Sequence, residues 1–286
     1  MDWTERRERM RAIIRGPRCI HPGSVYDPIS ARIAEDLGFE AGMMAGSTAS
    51  LTVLGAPDIV VLTLSEFAQQ ALRVNRSVKL PLLVDADHGY GNALNVKRTV
   101  EELETAGVAA LTIEDTELPT PFGAGGSARL ISIEEGVGKM KAALAGRQDP
   151  RLVIVGRTSA INISGVADCI ARLKAYEAAG VDMLFMAGVK TRAQLDDVAS
   201  AVKLPLFLGT PAPEVVDLDY LSARNVRICL QGHQPIMAGY HAVYETLKAL
   251  REGVKPADLK GAPPADFMKR VTRQADYAKW QKEFLG

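Results

Sequence analysis

The chain has 286 residues, with 34 Lys+Arg against 34 Asp+Glu and 47% apolar residues. Matched charges exclude a nucleic-acid or anionic-membrane binder, which needs a net basic surface. Ordinary apolar content at zero net charge excludes disorder, and no apolar run reaches the about 18 residues that cross a bilayer.

In chain order, Met1–Arg9 alternates charges without an apolar stretch, so it is not a secretory leader, and a cytoplasmic protein is expected. Cys19, Cys169 and Cys229 are far apart and form no CxxC pair; they read as small buried hydrophobes in a reducing compartment. Two junctions repeat along the chain. Val78-Lys79-Leu80-Pro81-Leu82 and Val202-Lys203-Leu204-Pro205-Leu206 each lead into an apolar run. Gly38, Gly107 and Gly180 each sit where a helix would end and a buried strand begin.

This punctuation predicts strands near 19–23, 41–45, 81–87, 110–114, 152–158, 183–187, 206–209 and 227–231. The runs are short and continuously apolar, as in parallel strands covered on both faces. Amphipathic helices separate them. Asn95–Leu103 has Val96, Val100 and Leu103 on one side. In 166–179, Ile170, Leu173 and Glu177 share a face, with Arg172 and Lys174 expected opposite. The alternation fits an α/β (β/α)8 TIM-type barrel. An open doubly wound sheet lacks support, because no GxGxxG follows the first strand. No linker divides the chain, so 1–286 reads as one barrel domain, with 254–286 a helical tail. Pro256, Pro263 and Pro264 break that tail before a helix over 265–285 bearing Phe267, Met268, Val271, Tyr277, Trp280 and Phe284.

Barrel active sites lie at the C-terminal strand ends. Strand 2 ends at Ala45-Gly46-Ser47-Thr48, strand 3 at Asp85-Ala86-Asp87-His88-Gly89-Tyr90-Gly91, strand 4 at Glu114-Asp115, strand 5 at Arg157-Thr158 and strand 8 at Gln231-Gly232-His233. Four carboxylates at two neighbouring strand ends cannot all stay ionised without a cation. Hard oxygen donors point to Mg2+, with Mn2+ possible. Mg2+ takes one or two direct carboxylates, so Asp85 is the expected ligand, with Asp87 and Glu114 holding its waters. His88 is expected as a solvent-facing loop histidine. Arg157 leaves an apolar strand, where a charge is costly unless it meets an anion. It either pairs with Glu114 or clamps a substrate carboxylate or enolate oxygen, and the two readings are compatible. Gly46-Ser47-Thr48 offers N–H groups and hydroxyls to a carboxylate or oxyanion.

The Asp85–Gly91 run resembles the DxDxGxG metal motif of the isocitrate lyase/phosphoenolpyruvate mutase superfamily. Asp58, Glu114-Asp115, Arg157-Thr158 and Ala45-Gly46-Ser47 fall where that superfamily's other motifs would be. The resemblance covers nearly the whole chain. It implies a Mg2+-dependent barrel acting on α-keto acids, often a homotetramer (a dimer of dimers) whose eighth helix, here Pro235–Gly253, is exchanged between subunits. The loop Thr116–Ile131 departs from the superfamily's carbon–carbon lyases, which carry a catalytic Cys there. It holds no Cys, Lys, His or Asn. It also departs from the phosphonopyruvate-processing members, which use Lys and Asn or Thr.

A cysteine-free loop with Gly232-His233 after strand 8 is similar to the oxaloacetate-decarboxylating branch. There the positions matching Ser47, Arg157 and His233 contact substrate, and the one matching Asp85 binds Mg2+. Chemistry agrees: a β-keto acid needs an electron sink, not a base, because its leaving carboxylate is already ionised, whereas a retro-aldol lyase needs positioned acid–base groups. The expected activity is Mg2+-dependent decarboxylation of oxaloacetate to pyruvate and CO2. The alternatives are a Cys-independent lyase on a malate- or citrate-like acid, phosphonopyruvate processing, or a non-catalytic keto-acid sensor.

Overall fold

A computed structural model describes residues 1–286. Eight parallel strands follow one another in sequence order: β1 (Gly23–Ser24), β2 (Gly42–Met44), β3 (Leu82–Asp85), β4 (Ala110–Glu114), β5 (Val153–Thr158), β6 (Met183–Met186), β7 (Leu206–Leu208) and β8 (Val226–Cys229). A parallel bridge between Ile20 and Ile228 joins the first and last staves, so the sheet closes on itself as a (β/α)8 barrel. The expected strand at 19–23 is therefore split. Ile20 makes the closing bridge, and Gly23–Ser24 pairs with β2.

The inward side chains form one apolar cluster: Met43, Leu83, Ala110, Val153, Val155, Met183, Phe185, Phe207 and Ile228. The outward ones, such as Val84, Leu111, Ile154, Leu184 and Leu208, pack with the surrounding helices in a second. Apolar runs thus hide a strict two-residue alternation of face. It sends Asp85 and Asp87, Thr112 and Glu114, and Arg157 inward at the C-terminal ends.

The helix Thr4–Arg15 plugs the opposite end. Its Met10 and Ile14 complete the inner cluster. Its arginines turn outward to the strand entrances. Arg7 donates to the carbonyls of Glu104 (2.7 Å) and Val108 (3.2 Å) and to Asp149 (2.9 Å). Arg11 reaches Asp182 at 2.6 Å and the carbonyls of Pro150, Arg151 and Leu152.

The amphipathic reading of the helix Ala93–Thr105 holds, with Val96, Val100 and Leu103 buried. That of Val166–Ala179 needs a correction. Arg172 is buried beside Cys169, Leu173 and Tyr176, because its guanidinium meets the buried Asp115 at 3.1 Å. All three cysteines are free and buried, and burial pushes each thiol up to about 12.

The chain divides into two compact units, Met1–Gly232 and His233–Gly286. The second consists of the helix Gln234–Arg251, a short 3-10 turn at Pro256–Asp258, and the helices Ala265–Val271 and Gln274–Phe284. The single helix expected over 265–285 is broken at Arg273, which takes a left-handed φ of 59°. No helix is long and apolar enough to cross a membrane.

Candidate active site

The Asp85–Gly91 turn after β3 is held on three sides. Glu114 N–H donates to the Asp87 carbonyl (2.8 Å), Thr99 Oγ1 to that of Gly89 (3.0 Å), and Lys139 Nζ to that of His88 (2.9 Å). Lys139 comes from the helix Ile133–Gly146 and is buried. Burial pulls its ammonium below the ordinary range, against the opposing pull of Glu135, Glu114 and Asp115. His88 is not solvent-facing, as expected from its loop position, but buried. Burial and Lys139 depress its imidazole to about 4, so the ring is neutral near pH 7. A loop pinned by a buried lysine tucks its histidine under the strand ends rather than into water.

Inside the barrel, Asp85 is engaged through both oxygens. Oδ1 accepts from Thr112 Oγ1 (2.7 Å) and the Asp87 N–H (3.3 Å), and Oδ2 pairs with Arg157. Arg157 also meets Glu114 at 3.4 Å, and Thr116 Oγ1 donates to the same Glu114 oxygen at 2.8 Å. The guanidinium lies 5.1 Å from the centre of the Phe185 ring, which stacks on Phe207. Its Nε is buried without a partner in the chain. Burial opposes the charge on Arg157, yet Asp85 and Glu114 override it and hold the group above its ordinary range. The pairing reading of Arg157 is therefore realised, and with two carboxylates.

Asp87 sits deeper in acid. Burial, then Asp85, Asp58 and Glu114, push its carboxyl up to about 8. Glu114 is likewise raised, by burial first, against the pull of Arg157. Gly46 opens the helix Gly46–Leu54 beside Asp87; a Cβ there would lie 2.7 Å from Asp87 Oδ2. Only glycine lets that helix N-terminus and its N–H groups approach the carboxylate so closely. Ser47 is half-buried one residue further on, and Asp58 is exposed in the loop beyond the helix.

Asp115 requires a correction. It faces outward, fully buried, and accepts from Tyr176 Oη (2.6 Å) and Arg172 (3.1 Å). It ties the helix Val166–Ala179 to the barrel and leaves three inward carboxylates at the two strand ends, joined electrostatically by Asp58. Thr112 was not anticipated as a site residue. The same two-residue parity that excludes Asp115 would have selected it. His233 opens the second unit as the N-cap of Gln234–Arg251 and is half-buried.

No three acidic, histidine or cysteine side chains converge into a ready-made cage. Mg2+ binds through one or two carboxylates and keeps its waters. Three carboxylates facing one arginine, one of them pushed up to about 8, are a donor set with a charge surplus that a divalent cation would neutralise. A separate cavity of about 480 Å³ lies near the strand entrances, lined by Arg18, His21, Glu40 and Asp219. It carries no comparable convergence of charge, so the chemistry rather than the cavity locates the site.

A closed parallel barrel with acid and one arginine at its C-terminal mouth has the architecture of a (β/α)8 enzyme. The chain belongs to the phosphoenolpyruvate phosphomutase family, whose model matches residues 10–251. Over all 286 residues it is 58% identical to an oxaloacetate decarboxylase of Bradyrhizobium sp. (strain ORS 278), covering 99% of that protein. Among solved structures, oxaloacetate acetylhydrolase in complex with 3,3-difluorooxalacetate superposes with a TM-score of 0.87 at 27% identity, over 99% of this chain and 98% of that one. Phosphonopyruvate hydrolase in complex with oxalate and Mg2+ gives a TM-score of 0.86 at 27% identity, over 98% and 99%.

Proposed function

We propose that the protein is a carboxy-lyase that decarboxylates oxaloacetate to pyruvate and CO2 with Mg2+ or Mn2+. The observation that carries this reading is the pairing of an acid-rich mouth with a cysteine-free loop. The Thr116–Ile131 loop begins at the Thr116–Glu114 hydrogen bond and is stapled by the Thr116–Leu130 bridge, yet it brings no Cys, Lys, His or Asn to the mouth. Full-length similarity to proteins named oxaloacetate decarboxylase supports the same conclusion.

Asp85 would hold the cation, with Asp87, Glu114 and Asp58 binding its waters. When bound, the cation supplies a positive charge that draws off the electron pair left behind by departing CO2. Arg157 takes the substrate's C1 carboxylate and faces the charge that develops as the enolate forms. Asp85 and Glu114 fix its guanidinium, and its unpartnered Nε is a donor ready to be used. Gly46 and Ser47 offer N–H groups and a hydroxyl to the same carboxylate. His233 is assigned to substrate contact on the subfamily resemblance alone. Protonation of C3 comes from solvent.

The helix Gln234–Arg251 leaves Met237, Tyr240, Val243, Tyr244, Leu247 and Leu250 exposed. That apolar face supports exchange of this eighth helix within a homotetramer. The site itself is tested with oxalate, which mimics the pyruvate enolate. It should inhibit competitively and far more tightly than acetate; equal affinity for the two would remove the enolate from the mechanism.

A further inference from the structure

The turn after β3 contains one residue that its chemistry does not yet explain. Asp87, Gly89, Tyr90 and Gly91 all take positive φ, at 48°, 81°, 61° and 146°. Glycine adopts such angles freely, but a tyrosine there is strained and persists only where its surroundings hold it. Tyr90 is held by ring contacts, with Phe67 at 6.3 Å and His88 at 6.2 Å between centroids, at the margin of the outer core. Those contacts need only the ring. The hydroxyl is buried and has no hydrogen-bond partner in the chain. Buried hydroxyls are almost always paired, so an unpaired one marks a cost that phenylalanine would avoid.

The surroundings of that hydroxyl are acidic. Burial, then Asp87, Asp85 and Asp58, hold its proton on. All three carboxylates accept hydrogen bonds, yet none accepts one from Tyr90, which shares its turn with Asp85 and Asp87. A cation must also alter this arrangement, because both oxygens of Asp85 are already committed to Thr112, the Asp87 N–H and Arg157. We propose that Tyr90 is a positioning residue for the divalent cation: its hydroxyl would donate to a carboxylate or water oxygen that holds the bound ion. This inference rests on the metal reading above. Donors placed just outside a metal's ligands orient them and sharpen affinity, which gives a strained tyrosine a function in place of phenylalanine.

The test is Tyr90→Phe in the full-length protein, stripped with chelator and then titrated calorimetrically with Mg2+. Thermal denaturation of the metal-free form is measured alongside. The expected result is a Kd weakened about 10-fold or more. Metal-free Tm should be unchanged or higher, because only an unpaired hydroxyl is lost. Mg2+ affinity equal to that of the unaltered protein overturns the proposal and leaves the metal reading standing. Weaker affinity accompanied by a lower metal-free Tm assigns the hydroxyl to packing and also overturns it. If the unaltered protein takes up no Mg2+, the metal reading fails and this inference fails with it.

Discussion

The two mouths of this barrel solve opposite problems with the same residue types. At the strand entrances, arginines of the plug helix meet carbonyls and carboxylates in number, and each of those carboxylates has a guanidinium partner, although Arg6 and Arg227 each keep a buried Nε without one. Arg7 alone reaches Glu104, Val108 and Asp149, and Arg11 reaches Asp182, which also accepts from Arg147 at 2.7 Å. At the strand exits, Asp85, Asp87 and Glu114 crowd around a single Arg157, and a carboxyl and a guanidinium nitrogen are left unsettled. The first mouth is built for stability and the second for a guest. A neutral whole chain conceals this division, because the acid excess at one mouth is balanced elsewhere.

If that contrast is correct, substitutions at the two mouths should separate stability from activity. Arg7→Met leaves the buried Glu104 without its cation, Asp149 with Arg151 alone and the Val108 carbonyl without its Arg7 donor, and should cost about 3 kcal/mol of stability in chemical denaturation. The folded fraction should retain normal kcat/KM. Asp85→Ala should do the reverse, cutting metal-dependent kcat/KM by more than the ~100-fold that losing an outer hydrogen bond costs. Mg2+-saturable activity surviving in that variant would remove Asp85 from the ligand role.

The pH response should also differ between the mouths. Burial pushes Asp149 up, but the Arg151 N–H and the guanidiniums of Arg7 and Arg151 override it and hold the carboxyl at about 2. Its folded value lies below its unfolded one, so its stabilisation is complete above about pH 4 and is lost as pH falls through 2. That amounts to about 2 kcal/mol, readable as the difference between acid denaturation curves of Asp149→Asn and the unaltered protein. Asp87 has the opposite sign, since a raised carboxyl costs stability as pH climbs above its unfolded value. Asp87→Asn should therefore stabilise the metal-free protein at pH 7 by about 1 kcal/mol or more, read as a higher Tm. A lower Tm there would mean that the exit mouth is not oversupplied with acid. A further separable effect concerns His233. His233→Gln should lower kcat/KM beyond the ~10-fold of one neutral hydrogen bond. Near-normal kinetics would remove it from substrate contact.

Much of this was legible from sequence, because parallel strands announce themselves as apolar runs between glycine-capped helices. Seven of the eight expected runs overlap an observed strand closely, and the eighth differs only in how 19–24 divides between a bridge and a strand. Parity was the signal underused. Glu114 and Asp115 are adjacent and look alike, but neighbouring strand residues face opposite ways, so one enters the mouth and the other anchors a helix. Counting by twos from Glu114 would also have found Thr112. Arg172 and His88 were misplaced for a different reason. Both look like surface residues until a distant partner, Asp115 or Lys139, is brought to them, and no local pattern reveals such a partner. The plug arginines were likewise silent, since Met1–Arg9 reads only as alternating charge until the carbonyl partners are assembled around it.

The central claim is that the exit mouth uses a divalent cation to decarboxylate oxaloacetate. The direct test follows pyruvate and CO2 release from oxaloacetate with the purified protein, first with Mg2+, then with chelator, then with Mg2+ restored, subtracting the protein-free rate under each condition. The account predicts equal amounts of pyruvate and CO2, loss of turnover on chelation and its return with the metal. Turnover unaffected by chelation, or none above the protein-free rate in Mg2+, would contradict it.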